Sequence, residues 1–199
     1  PFLSFVFTSS NHTPFEYPDG RIQPYDQPKQ TDNNTVKYAD YALGAFFDKA
    51  KQSEYWDNTL FLVVADHTNR VYGDDLVPIS GFHIPALIVG ADMESKQIKT
   101  VSSQVDLEPT LLSLMGVSAN HPMIGRDLTV ESEQISPGRA IMQFADYFAL
   151  MKGTDVTVLR MDQPAKSGQY DRLKRRMEVI GDASESQEKE ALAHSLLPS

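Results

Sequence analysis

Thr59-Leu60-Phe61-Leu62-Val63-Val64-Ala65-Asp66-His67 is the stretch that decides the fold. Six consecutive apolar residues, Leu60 to Ala65, predict a strand buried on both faces of a parallel sheet, since a half-solvated strand would alternate. A carboxylate and an imidazole stand side by side at its C-terminal end. In open α/β sheets, ligands bind in the crevice outside the carboxyl ends of the strands. Asp66 and His67 together offer a hard oxygen and a borderline nitrogen, a donor pairing suited to Mn²⁺ or Zn²⁺. The plainer reading is an Asp that caps the following loop, with a surface His beside it.

Working outward, Leu3 to Thr8 predicts a second buried strand. Residues 11–34 are polar, rich in Pro, Asp, Asn and Gln, and without apolar period. Ordered loops of that length in compact domains are usually functional. Asn34 or Thr35 can cap a helix running to about Ser53, with Val36, Ala39, Leu43, Phe46, Phe47 and Ala50 at helical spacing. Phe46, Phe47, Tyr55 and Trp56 read as the core and rim of that helix.

After the 59–67 stretch a loop spans 68–82, and Ile84 to Gly90 predicts another buried strand. Val105 to Gly116 reads as a short helix closed by Gly116, with Asp106 and Thr110 satisfying backbone amides at its start. Residues 139–144 and 155–160 predict a strand pair joined by a polar turn near Lys152-Gly153-Thr154. The tail beyond about residue 160 holds Lys174-Arg175-Arg176, read as a solvated face, and an acidic helix with no assignable role. Strand and helix alternate, so the class is α/β, with no internal repeat and no interdomain linker.

The composition bounds the function. At 199 residues, 41% hydrophobic and 23% charged, the chain reads as one globular domain able to bury a core. A net charge of −9 argues against nucleic acid as a partner. It leaves room for a phosphate-bearing substrate where a cation supplies the local positive charge. With no cysteine, disulfides and thiol catalysis are excluded. The opening residues read as the middle of a strand, without initiator Met or secretory signal, and predict a fragment of a longer protein.

Five segments occur in a recognisable order. They are Asn11-His12-Thr13-Pro14-Phe15, the apolar run into Asp66-His67, His83-Ile84-Pro85, Gln104-Val105-Asp106-Leu107-Glu108-Pro109-Thr110-Leu111-Leu112, and Gly125-Arg126-Asp127-Leu128. Together they resemble the sulfatase-like branch of the alkaline phosphatase superfamily, nearest the lipoteichoic-acid synthase and phosphoglycerol transferase group. The resemblance covers about residues 1–160. It implies an alkaline-phosphatase-like three-layer sandwich with a mostly parallel central sheet, of which residues 1–199 form the C-terminal part of one catalytic domain. It also implies a bacterial enzyme anchored in the cytoplasmic membrane by segments upstream of this chain, its catalytic domain extracytoplasmic.

In that family a Thr, or a modified Cys or Ser, attacks a phosphate or sulfate ester beside one divalent metal. The resemblance makes Asp66 and His67 metal ligands, with Mn²⁺ first and Zn²⁺, Mg²⁺ or Ca²⁺ as alternatives. His12 matches the family histidine that contacts the substrate head group. Nucleophile and first acidic ligand precede the Asn-His-Thr-Pro-Phe segment in this family, so no catalytic nucleophile is expected within residues 1–199. His83 can bind substrate or metal, or make a structural hydrogen bond at the strand start. Arg70 can clamp a phosphate bidentately or be a solvated loop residue.

The function implied is metal-dependent transfer or hydrolysis of a phosphoester, on a phospholipid-type head group, free or lipid-linked. A sulfatase needs the same geometry and differs in the nucleophile, while a non-catalytic binding module would keep the sheet and lose the chemistry. A central sheet deprived of neighbouring strands exposes apolar edges, so residues 1–199 alone are expected to be insoluble or molten.

Overall fold

The computed structural model describes residues 2–68, 71–130 and 137–196. Its contacts cluster into two compact units, one of residues 1–59 with 90–92, the other of residues 60–89 with 93–199. The described elements are helix α1 (Asp32–Ala50), strands β1 (Phe61–Val64) and β2 (Ala86–Val89), helix α2 (Leu107–Leu114), strands β3 (Arg139–Phe144), β4 (Tyr147–Lys152), β5 (Asp155–Arg160), β6 (Gln163–Asp171) and β7 (Arg176–Asp182), and helix α3 (Glu185–Leu196).

The core of the larger unit lies on an antiparallel meander in which β3 to β7 pair in chain order. Val156 and Val158 of β5 join Met142, Ala149, Met151 and Met177 from the neighbouring strands, and Val77 and Ile79 from the segment ahead of β2, in one apolar cluster. Side chains alternate across a strand, so Leu150 and Thr157, directly opposite each other on β4 and β5, face the other way. Both are buried too, and α3 packs on these same two strands. The middle of the meander, β4 and β5, is therefore covered on both faces.

α2 follows a 3₁₀ turn, Gln104–Asp106, started by a reciprocal capping box between Ser103 and Asp106. The helix ends as expected at Gly116, which takes φ +68°. There Val117 N–H reaches Leu112 O and Gly116 N–H reaches Ser113 O, both at 2.9 Å, the Schellman arrangement that a left-handed glycine permits.

In the smaller unit α1 is capped three residues before Asn34 and four before Thr35. Thr31 is the cap, its side chain accepting from Asn34 N–H. The Asn34 side chain is occupied elsewhere: its Oδ1 accepts from Tyr25 N at 2.6 Å and Asp26 N at 3.2 Å. Its Nδ2 donates to Asp26 O at 3.1 Å and Lys29 O at 2.9 Å. One fully buried amide thus ties the polar loop to the start of α1.

Several expectations are corrected. β1 and β2 pair antiparallel, Phe61 against Val89 through Val64 against Ala86, and every strand pair among the described residues is antiparallel. An apolar run reports burial, not strand direction, so Leu60 to Ala65 could not show which way its neighbour runs. β1 is moreover only half-buried. Residues 2–8 form no strand; their amides donate no backbone hydrogen bond among the described residues, and Leu3, Phe5, Val6 and Phe7 are exposed. Apolar residues make a strand only where a neighbour takes up their N–H and C=O groups.

Residues 139–144 and 155–160 are strands but not partners, because β4 lies between them. The turn near Lys152-Gly153-Thr154 joins β4 to β5. Beyond residue 160 the described residues form β6, β7 and α3, and Arg176 reaches back to Asp75 at 3.1 Å.

Candidate active site

Asp66 and His67 follow β1 directly. Because Val64 pairs with Ala86, the C-terminal end of β1 lies beside the N-terminal end of β2. His83, three residues before β2, therefore emerges at the same end of this strand pair as Asp66 and His67. It is exposed and follows the 3₁₀ turn Ile79–Phe82.

The Asp66 carboxylate bends back over its own chain, Oδ1 accepting from His67 N–H at 2.8 Å. Its Oδ2 lies 3.4 Å from His67 Nε2. His67 Nδ1 lies 2.6 Å from Thr68 O, and since a carbonyl only accepts, that nitrogen carries the proton. In neutral imidazole the Nε2 lone pair is then free. Metal-binding histidines have their tautomer fixed in this way by the other ring nitrogen. Two donors each about 2.1 Å from one tetrahedral ion stand about 3.4 Å apart, so the Asp66–His67 spacing fits a shared divalent cation. Both side chains are largely exposed, 55% for Asp66 and 73% for His67, and open to further ligands. No group of three or more His, Cys, Asp or Glu residues suited to a metal occurs among the described residues.

His12 repeats the pattern in the smaller unit. Its Nδ1 lies 2.8 Å from Thr13 O, and the local turn is closed by His12 N–H to Ser9 O at 3.0 Å and Phe15 N–H to His12 O at 2.8 Å. Its Nε2 is left open at an exposed position. Arg70 lies outside the described residues. An open concavity of about 420 Å³ is lined by Glu16, Tyr17, Pro18, Lys29 and Gln30; none of the predicted site residues lines it.

Sequence reading placed Asp106 and Thr110 at a helix start, and the structure shows a larger network. Asp106 is fully buried, its Oδ2 accepting from Ser103 N at 2.8 Å and its Oδ1 from Arg126 N at 2.7 Å. Arg139 Nη2 stands 3.4 Å away. Burial pushes the Arg139 guanidinium down from its ordinary value, and the Asp106 charge acts against that shift. Thr110 Oγ1 donates to Asp106 O at 2.5 Å and accepts from Leu128 N at 3.0 Å. Gly125 lies flat on this turn; a Cβ there would stand 1.8 Å from Val105 O, so only glycine fits. Gln104, inside the turn, donates to Ala65 O at 2.9 Å and Asp66 O at 3.3 Å. That contact joins residues 38 and 39 positions apart, and no local pattern could have revealed it.

No helix among the described residues is long and apolar enough to cross a membrane. The sulfatase family model matches residues 1–117. Among curated relatives, the lipoteichoic acid synthase-like YvgJ of Bacillus subtilis is 29% identical over 64% of this chain and 24% of its own length. Lipoteichoic acid synthases of Staphylococcus saprophyticus and Staphylococcus aureus are each 28% identical over 64% of the chain and 23% of theirs. The chain thus spans about a quarter of the length of these relatives. A solved structure, a protein in the alkaline phosphatase superfamily from Vibrio parahaemolyticus, superposes with a TM-score of 0.84 at 43% identity. It covers 98% of this chain and 50% of its own. These matches bear out the resemblance and the α/β sulfatase-like fold drawn from the motifs.

Proposed function

Because the chain belongs to the sulfatase family, we propose that it is part of a metal-dependent phosphoester transferase or phosphodiesterase acting on phospholipid-type head groups. The relatives named as lipoteichoic acid synthases support choosing phosphate over sulfate. The observation that carries the reading is the 3.4 Å approach of Asp66 Oδ2 to His67 Nε2, with the other imidazole nitrogen tied to Thr68 O.

In this reading Asp66 and His67 would hold one divalent ion, Mn²⁺ first, with Zn²⁺, Mg²⁺ or Ca²⁺ as alternatives. Such an ion, when bound, supplies positive charge that acidifies a hydroxyl nucleophile and offsets charge on the phosphoryl oxygens. Asp66 contributes negative charge to the site, and the Thr68 carbonyl keeps the His67 imidazole in the tautomer that can ligate. His12 presents Nε2 to the substrate, where its protonated form donates a hydrogen bond to a phosphoryl oxygen or a proton to the leaving alcohol. His83, at the same end of the β1–β2 pair as Asp66, and Arg70 would bind the phosphate. The proposal takes its nucleophile, a threonine, from sequence N-terminal to residues 1–199. The whole protein would work at the outer face of a bacterial cytoplasmic membrane, anchored through segments outside this chain.

The test is turnover by the full-length protein, offered a phosphodiester and an aryl sulfate side by side, with Asp66→Ala as control. Mn²⁺-dependent phosphodiester cleavage lost by at least about 10²-fold in Asp66→Ala is the expected result, the scale of removing an electrostatic contact to a reacting group. Cleavage of the sulfate alone would overturn the phosphoester assignment. Phosphodiester turnover indifferent to Asp66→Ala would overturn the metal role.

A further inference from the structure

We propose that Gln104 is a positioning residue for the Asp66–His67 pair, holding the backbone that carries both side chains. The inference rests on the metal reading above and extends it to a residue outside the ligand set.

Asp66 and His67 lie beyond the last paired residue of β1, Val64. Their side chains are more than half exposed, so packing does not fix them, and their aim depends on where the chain runs after Val64. The Gln104 amide takes hold there, with Nε2 donating to both Ala65 O and Asp66 O. One NH₂ group thus spans two successive carbonyls and sets the path of the chain at the first candidate ligand.

A tether is only as good as its anchor, and Gln104 sits within a turn held by its own capping box. Ser103 and Asp106 bracket it in the capping box. Asp106 is buried between the Ser103 and Arg126 amides with Arg139 beside it. Ser103 Oγ also accepts from Ile141 N of β3 at 2.8 Å, and Gly125 closes against the far side of the turn. The meander therefore fixes the turn, and Gln104 passes that rigidity to Asp66. Outer partners that orient metal ligands typically change affinity 10- to 100-fold when removed. Gln104 acts on the ligand's backbone, so the low end, about tenfold, is expected.

A residue that merely stitches two loops together would lower thermal stability without altering metal affinity of the folded protein. The two roles separate in Gln104→Met, which keeps the length and loses the donor, and in Gln104→Ala. Mn²⁺ binding to the full-length protein is titrated for both variants, wild type and Asp66→Ala, at a temperature where all are folded by circular dichroism. The expected result is an Mn²⁺ Kd raised about tenfold in both Gln104 variants, with activity recovered at correspondingly higher Mn²⁺. Wild-type affinity in both, with binding lost in Asp66→Ala, overturns the role of Gln104 and leaves the metal reading standing. Undiminished binding in Asp66→Ala overturns the metal reading, and the role of Gln104 with it.

Discussion

Val158 in the middle strand of the meander is wholly buried, whereas Phe5 in a comparably apolar run is 85% exposed. The meander draws its partners from its own sequence neighbours: each of β4 to β7 turns back on the last, and α3 returns to cover β4 and β5. Residues 2–8 have apolar side chains but no neighbouring strand among the described residues. Hydrophobic content is thus shared by the two regions, and closure of the backbone hydrogen bonds distinguishes them. In the smaller unit polar closure contributes as well, through the four hydrogen bonds of Asn34.

The largest effect that bears on this contrast is expected from a carboxylate placed in each run. Val158→Asp buries an unpaired charge and should cost more than about 4 kcal/mol in denaturant unfolding of the full-length protein. Phe5→Asp should stay within about 0.5 kcal/mol of wild type. A cost above about 2 kcal/mol for Phe5→Asp would show that residues 2–8 are packed and break the contrast.

A smaller difference separates the two buried polar hubs. Asp106→Ala leaves the buried Arg139 beside an empty position and frees two amides, at a cost of about 3–5 kcal/mol. Asn34→Ala leaves neutral amides and carbonyls at a loop, nearer about 2–3 kcal/mol. Urea unfolding of both variants checks the order, and a larger loss for Asn34→Ala would make the loop, rather than the capping-box turn, the better-anchored region.

The smallest effect lies at the tip of the β6–β7 hairpin. The Lys174 amide, and then that of Leu173, hold the Asp171 carboxyl below its ordinary value. A carboxylate with a depressed folded pKa contributes stability above the unfolded value of about 3.9 that is lost as pH falls through the folded one. Asp171→Asn should therefore cost a little stability at neutral pH and flatten the acid side of the profile, variant and wild type converging below the folded value. Unchanged stability at pH 7, with an acid limb as steep as that of the wild type, would contradict this.

Sequence pattern revealed elements whose signal is local. α1 shows apolar spacing, α2 has its capping residues and Gly116, and the apolar run into Asp66-His67 marks a strand and its candidate site together. β6 was illegible because Pro164 and Gly168 are residues that strands disfavour. Its register comes from the neighbours, and Gly168 is needed where a Cβ would meet Glu178 O at 2.5 Å. β7 buries only Met177 and so shows no alternation. The reverse error at Leu3–Thr8 has the same origin, since pairing is a property of two segments. In the candidate site, Asp66 and His67 were visible as neighbours at a strand end. Gln104 was not, because its role exists only across 38 residues of intervening chain.

The most direct test of the central claim is Mn²⁺ titration of the full-length protein beside Asp66→Ala and His67→Ala. The account predicts one bound ion per chain, with affinity falling by at least about 10²-fold in each variant, as expected for loss of a ligand rather than of an outer partner. Equal affinity in the wild type and both variants would contradict it and return Asp66 and His67 to a capped strand end with a surface histidine.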